Sequence, residues 1–260
     1  KDKVILLDKN LTAGGMWNET YDYVRLHQPH AMFTAGDIKW TINREPSYLA
    51  SKDEVLAHFA HCVEYLRTRV TLIERYGWLY EQHTEVPTEG GYEAHIVCRL
   101  AASDSPPCLI KAKRCIKAIG MDIKPNSPIS FSSNNILSVA PQDERLFGPQ
   151  MDKNEKPIYI IGGGKTAMDT ALALITRYPH LSVSLIVGKG TVFFKRDKAF
   201  PKGLKRWWGG TPMLDAFVDL ALKFDGDNEL EVLDHFKKEY AVCLDERFER
   251  YMFGTISLAE

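Results

Sequence analysis

The chain has 260 residues, 45% of them hydrophobic and 26% charged, with a formal net charge of -1. That is the make-up of a globular protein with room for one large domain or two smaller ones. A near-neutral chain carries no overall field that would draw nucleic acid or an anionic membrane to it, and no apolar run approaches the roughly 20 residues that span a bilayer. The N-terminus leads straight into a strand pattern with no signal peptide. The five cysteines (Cys62, Cys98, Cys108, Cys115 and Cys243) lack CxxC spacing. They read as reduced thiols of a cytoplasmic protein. The same spacing argues against a disulfide reductase, which needs two close cysteines beside a flavin.

In chain order, Val4-Ile5-Leu6-Leu7 followed by Asp8 has the pattern of a buried parallel strand, and Gly14-Gly15 marks a turn. Residues 20 to 50 lack periodicity and are rich in aromatics, His and Pro, which predicts a long packed loop. Val55, Leu56, Phe59, Cys62, Val63 and Leu66 follow helical spacing, with Asp53 as the expected cap. Strands are expected around Ala94–Leu100 and Leu109–Ile119. Residues 121 to 156, rich in Pro, Asn, Ser and Asp, mark a domain boundary. Pro157 to Ile161 then reads as a strand, Gly162-Gly163-Gly164 as a turn, and Lys165 to Tyr178 as a helix stopped by Pro179. Leu181 to Val187 is a second strand, and further helices are expected near Pro212–Lys223 and Glu229–Tyr240.

Gly162-x-Gly164-x-x-Ala167 lies between a strand and a helix, the context that a dinucleotide fingerprint requires. The first glycine permits the tight turn, the second lets the backbone approach a pyrophosphate, and Ala167 lets helix and strand pack closely. Gly163, Lys165 and Thr166 complete the corner, whose unpaired N–H groups would hold the anion. Gly164-Lys165-Thr166 is not a nucleoside triphosphate loop, because Tyr159 stands where that loop needs glycine. The second strand ends without the acid that an NAD site places there. Instead, Lys189 to Arg206 holds seven basic residues, Lys189 and Arg196 among them, against the single acid Asp197. That balance suits the extra phosphate of NADPH, the alternative being a solvated basic face. Near the N-terminus, Asp8 closes its strand as a ribose-binding acid would.

These residues together bring a family into view. Asp8 followed by Gly14-Gly15-Met16-Trp17 resembles the flavin-site signature of flavin-dependent monooxygenases. The segments from Arg25 to Asp37 and from Tyr48 to Val55 are similar to those that follow in that family, and Ala118-Ile119-Gly120 resembles the strand end where the chain passes between its two domains. Gly162 to Asp169 resembles the second, NADPH-binding fingerprint. The resemblance covers roughly residues 4 to 190 in the family's order. It implies an α/β, Rossmann-like FAD/NAD(P)-binding fold with a nicotinamide domain inserted into a partial flavin domain. The divisions are 1–140 (flavin), 150–210 (NADP) and 211–260 (a helical return to the flavin domain). Implied cofactors are FAD, held in part by Asp8, Gly14, Gly15, Trp17 and Gly120, and NADPH. The resemblance implies an oxidoreductase acting on a small-molecule substrate.

Two departures stand out. The family's Phe-x-Gly-x-x-x-His motif should fall near Phe131, where the aligned positions hold Ser133 and Leu137. The glycine loop expected ahead of the first strand is absent from the sequence as it stands, which leaves a cut sequence and a degenerate domain as alternatives. The readings left open are a monooxygenase, a flavin reductase or oxidase, and a non-catalytic NADP(H) sensor. No catalytic acid or base is identified. His58 and His61 beside Cys62 are read as ordinary helix-surface residues rather than metal ligands, so no metal is expected. Trp207-Trp208 could wall a pocket, though tryptophans more often simply pack.

Overall fold

The computed structural model describes residues 2–45, 48–104, 106–120, 127–187, 193–194 and 212–242; for 193–194, 212–214 and 241–242 it describes the backbone alone. The chain is mixed α/β, with both parallel and antiparallel sheets, and divides into two units, Lys1–Asp143 and Glu144–Glu260.

In the first unit β1 (Lys3–Asp8) pairs in parallel with β2 (Thr71–Tyr76), the intervening chain holding helix α1 (Lys52–Arg69). The expected strand is present and parallel, but it is not buried: Val4 and Ile5 are exposed. Helix α1 begins two residues earlier than an Asp53 cap would place it. Ser51 is the cap, its hydroxyl accepting from the Glu54 N–H while Glu54 accepts from the Ser51 N–H at 2.8 Å. This reciprocal box satisfies two otherwise unpaired donors. Burial pushes the Glu54 carboxyl up, but hydrogen bonds from Ser51 and Tyr48 and the charge of Arg25 hold it below the usual carboxylate range.

The loop of residues 20 to 50 does pack. Its ends are clasped by Leu26 N–H to Ala50 C=O (2.9 Å) and Lys52 N–H to Val24 C=O (3.1 Å). Leu26, Ala50 and Val55 form a core against which Trp17, Phe33, Trp40, Tyr48 and Phe59 close. A three-stranded antiparallel sheet follows, in the order β3 (Trp78–Thr88), β4 (Gly91–Leu100), β5 (Cys108–Ala112). Periodicity had not marked β2 or β3. The expected strand Leu109–Ile119 stops at Ala112, and Ala118-Ile119-Gly120 is irregular and exposed.

In the second unit β6 (Ile158–Ile161) and β7 (Val183–Ile186) pair in parallel through α2 (Lys165–Arg177). This is the strand–turn–helix–strand unit expected from the pattern. Leu174, Tyr178 and Leu181 make its core with Ile158, Ile160 and Val183. β8 (Phe193–Phe194) pairs antiparallel with β9 (Ala241–Val242), and between them lie α3 (Pro212–Lys223) and α4 (Glu229–Glu239), close to the expected bounds. Asn228 occupies the N-cap position of α4, but its side chain does not cap the helix. It donates instead to the Lys223 C=O at 2.8 Å.

Candidate functional site

The glycine corner joins β6 to α2. Its first residue is tied to the neighbouring strand by the Gly162 N–H donating to the Ile186 C=O at 2.9 Å. Gly162 has φ 134°, which L-residues rarely adopt, and a Cβ there would lie 3.7 Å from the Ala167 Cβ. Gly162 therefore makes the turn and comes within contact range of Ala167, the roles the pattern assigned them. Gly164 is the N-cap of α2, with ordinary extended dihedrals and no side-chain cap. A Cβ built on it would meet no described atom within 4 Å. Gly164 and Thr166 are exposed, and the first turn of the helix contains no acid. The leading N–H groups of an α-helix have no partner within the helix, and its N-terminus carries a partial positive charge. Among the described residues neither a side-chain cap nor a first-turn acid neutralises them.

Two neighbours are already engaged. Lys165 pairs with Asp169 along the helix, so its ammonium is committed to an internal partner. Buried Thr170 donates its hydroxyl to the Thr166 C=O at 2.7 Å. Lys189 and Arg196, with the rest of the basic cluster and Trp207-Trp208, lie outside the described residues.

The N-terminal set is brought together, but it is closed on itself. An Asp8 Oδ1 accepts the Asn10 N–H at 2.9 Å, and the Asn10 side chain donates to the Gly15 C=O at 2.9 Å. Asn10 thus links the strand-end acid to the glycine loop, a connection that no motif had indicated. The Gly15 C=O also accepts from Asn18 at 3.3 Å. Gly14, at φ 134°, lies so close to α1 that a Cβ would meet the Leu56 Cδ2 at 2.4 Å. Trp17 packs on the Leu26–Ala50–Val55 core, edge-on to Phe33 with ring centroids 5.9 Å apart. Gly120 takes a left-handed φ of 63° with no described atom near its open side.

Some residues differ from their sequence reading. His58 is fully buried rather than on the helix surface. It stacks on Trp40 with centroids 4.0 Å apart and an interplanar angle of 8°. Burial, helped by the nearby His61 and His30, pushes its imidazole below the usual histidine range. His58 Nδ1 and Trp40 Nε1 are buried with no hydrogen-bond partner among the described residues. The clue was available: His58 falls three after Val55 and four before Cys62, on the apolar stripe. Among the described residues no group of three or more His, Cys, Asp or Glu side chains could hold a metal. Sequence spacing also hid a cysteine pair, because Cys98 and Cys108 stand directly opposite each other on β4 and β5.

No family model matches the chain, and no curated protein matches it. Among solved structures it is similar to ornithine hydroxylase (PvdA) from Pseudomonas aeruginosa, at 15% identity and a TM-score of 0.37. The match covers 80% of this chain and 47% of that one, so the chain spans under half of that protein's length. A likeness this loose specifies no chemistry. No helix among the described residues is long and apolar enough to cross a membrane.

Proposed function

We propose that this chain contributes a Rossmann-like nicotinamide-dinucleotide domain, specific for NADPH, to a flavoprotein oxidoreductase whose flavin domain begins in the first unit. One observation carries the reading: a glycine corner, made by Gly162 and Gly164 and unblocked by any described residue, between a parallel strand and a helix start with no side-chain cap and no first-turn acid. Such a helix start suits a diphosphate, which needs several convergent N–H donors and no competing carboxylate. In this reading Gly162, Gly163, Gly164, Thr166 and Ala167 form the cradle, Lys189 and Arg196 receive the 2′-phosphate, and Asp8 receives the flavin ribose. When bound, NADPH and FAD supply hydride transfer and oxygen chemistry, and the protein positions them. The role of the described residues is to bind and orient. Gly162 fixes the turn and the α2 N–H groups hold the diphosphate, while Lys165 pairs with Asp169 along the helix.

The N-terminal loop supports a second reading, a non-catalytic NADP(H) sensor. There the Gly15 carbonyl and Trp17 serve internal packing, leaving less of the loop for a flavin. Titration calorimetry of the full chain with NADPH tests the shared premise: saturable binding, stronger than for NADH, is expected, and no heat with either nucleotide overturns it. A visible spectrum after reconstitution with FAD separates the two readings. A bound-flavin absorbance with NADPH-dependent bleaching supports the oxidoreductase, and a colourless protein that still binds NADPH supports the sensor.

A further inference from the structure

Cys98 lies in β4, the middle strand of the β3–β4–β5 sheet, and Cys108 opens the edge strand β5. The antiparallel register sets Ala94 against Ala112, Ile96 against Ile110, and Cys98 against Cys108. Directly opposed residues project from the same face, with Cα atoms about 4.5–5.5 Å apart, within the range of about 4.4–6.8 Å that a disulfide bridges. Cys98 Sγ reaches across to the Cys108 carbonyl oxygen, 3.7 Å away. The two differ in surroundings, Cys98 being fully buried and Cys108 exposed. Burial pushes the Cys98 thiol above the usual range, and the adjacent Cys108 thiol, within hydrogen-bonding reach, adds to that.

We infer that Cys98 and Cys108 form a peroxide-responsive dithiol that closes into a reversible cross-strand disulfide. The exposed Cys108 acts first, as a thiolate: its sulfur attacks one oxygen of hydrogen peroxide, the O–O bond breaks, and the departing hydroxide takes a proton to leave water. Cys108 is then a sulfenic acid. Cys98 gives up its proton and its sulfur attacks Cys108 Sγ; the S–S bond forms as the S–O bond breaks, releasing a second water. One peroxide is reduced to two waters while two thiols lose two protons and two electrons. A thiol set directly opposite captures the sulfenic acid before further oxidation. The product staples the edge strand to the centre of its sheet. The Cys108 sulfur, on the exposed residue of the pair, is where a reducing thiolate would attack. This chemistry is independent of dinucleotide binding.

Trypsin cleavage at Arg75, Arg99 and Lys111 places the two cysteines on separate peptides, 76–99 and 100–111. The reduced full-length protein is treated with hydrogen peroxide, blocked with N-ethylmaleimide under denaturant, digested and analysed by mass spectrometry. The expected product is the two peptides joined at their summed mass less two hydrogens, separating on addition of dithiothreitol. In the Cys108→Ser variant Cys98 should instead be recovered fully as its maleimide adduct. Hydrogen exchange across residues 108–112 should slow in the oxidised protein and recover on reduction. Recovery of both wild-type cysteines as maleimide adducts overturns the inference. So does Cys108 recovered as sulfinic acid beside an alkylated Cys98, or Cys108 joined to any other cysteine.

Discussion

Two glycine turns follow parallel strands, one at Gly14 and one at Gly162, and both glycines have φ 134°. They do opposite work. At Gly14 the backbone presses onto Leu56 of α1, and Asn10 and Asn18 hold the Gly15 carbonyl. At the Gly162 turn the helix start is left open, with Gly164 facing no described side chain. A glycine pair following a strand therefore does not by itself identify a binding site. The deciding question is whether the missing side chain makes room for the protein or for a ligand.

Substitutions sharpen that contrast. The largest effect is expected at Gly14→Ala, where a disfavoured φ combines with overlap on Leu56, costing about 3 kcal/mol of unfolding free energy. Gly162→Ala meets only the backbone penalty, about 1–2 kcal/mol. Urea midpoints of the two variants measure the gap, and equal losses would remove the distinction between a filled and an open turn. Gly164→Glu probes the open turn alone. Its dihedrals suit any residue, so the fold should hold or gain slightly from an acid at a helix start. Calorimetry should show NADPH affinity weakened about tenfold, ~1.4 kcal/mol; unchanged affinity would place the diphosphate elsewhere.

Smaller effects test what supports the filled turn. Ser51→Ala removes the hydroxyl half of the capping box that starts α1 and should cost about 1 kcal/mol in the same urea assay, with NADPH binding unaltered. The smallest effect concerns pH. His58 is neutral in the fold and its proton affinity there is depressed, so its contribution is complete above the unfolded value of about 6.5. It declines as pH falls from there through the lower folded value, because the unfolded chain binds the proton more readily. Urea midpoints at pH 8 and pH 5.5 should differ in wild type more than in His58→Gln, which cannot take up that proton. A parallel decline in both would assign the slope to other groups.

The sequence by itself determined the elements whose signals are local. α1 and α2 could be read because apolar residues recur every three or four positions along one face, and the β6–α2–β7 unit because its strands are short apolar runs bounded by Gly and Pro. The position of the glycine corner between strand and helix was legible for the same reason. Tertiary structure decided what depends on chain segments far apart in sequence. β3 alternates too weakly to announce itself and is a strand because β4 pairs along its whole length. Cys98 and Cys108 share no motif and meet only through strand register. His58 lies on a stripe legible in the sequence, but its ring partner Trp40, eighteen residues earlier, is supplied only by the fold. Gly14 and Gly162 look alike as letters, and packing alone separates them: Leu56 arrives at one turn, and no described side chain blocks Gly164 at the other. Propensity acts over a few neighbouring residues, whereas register, burial and access are set by partners brought in from elsewhere in the chain.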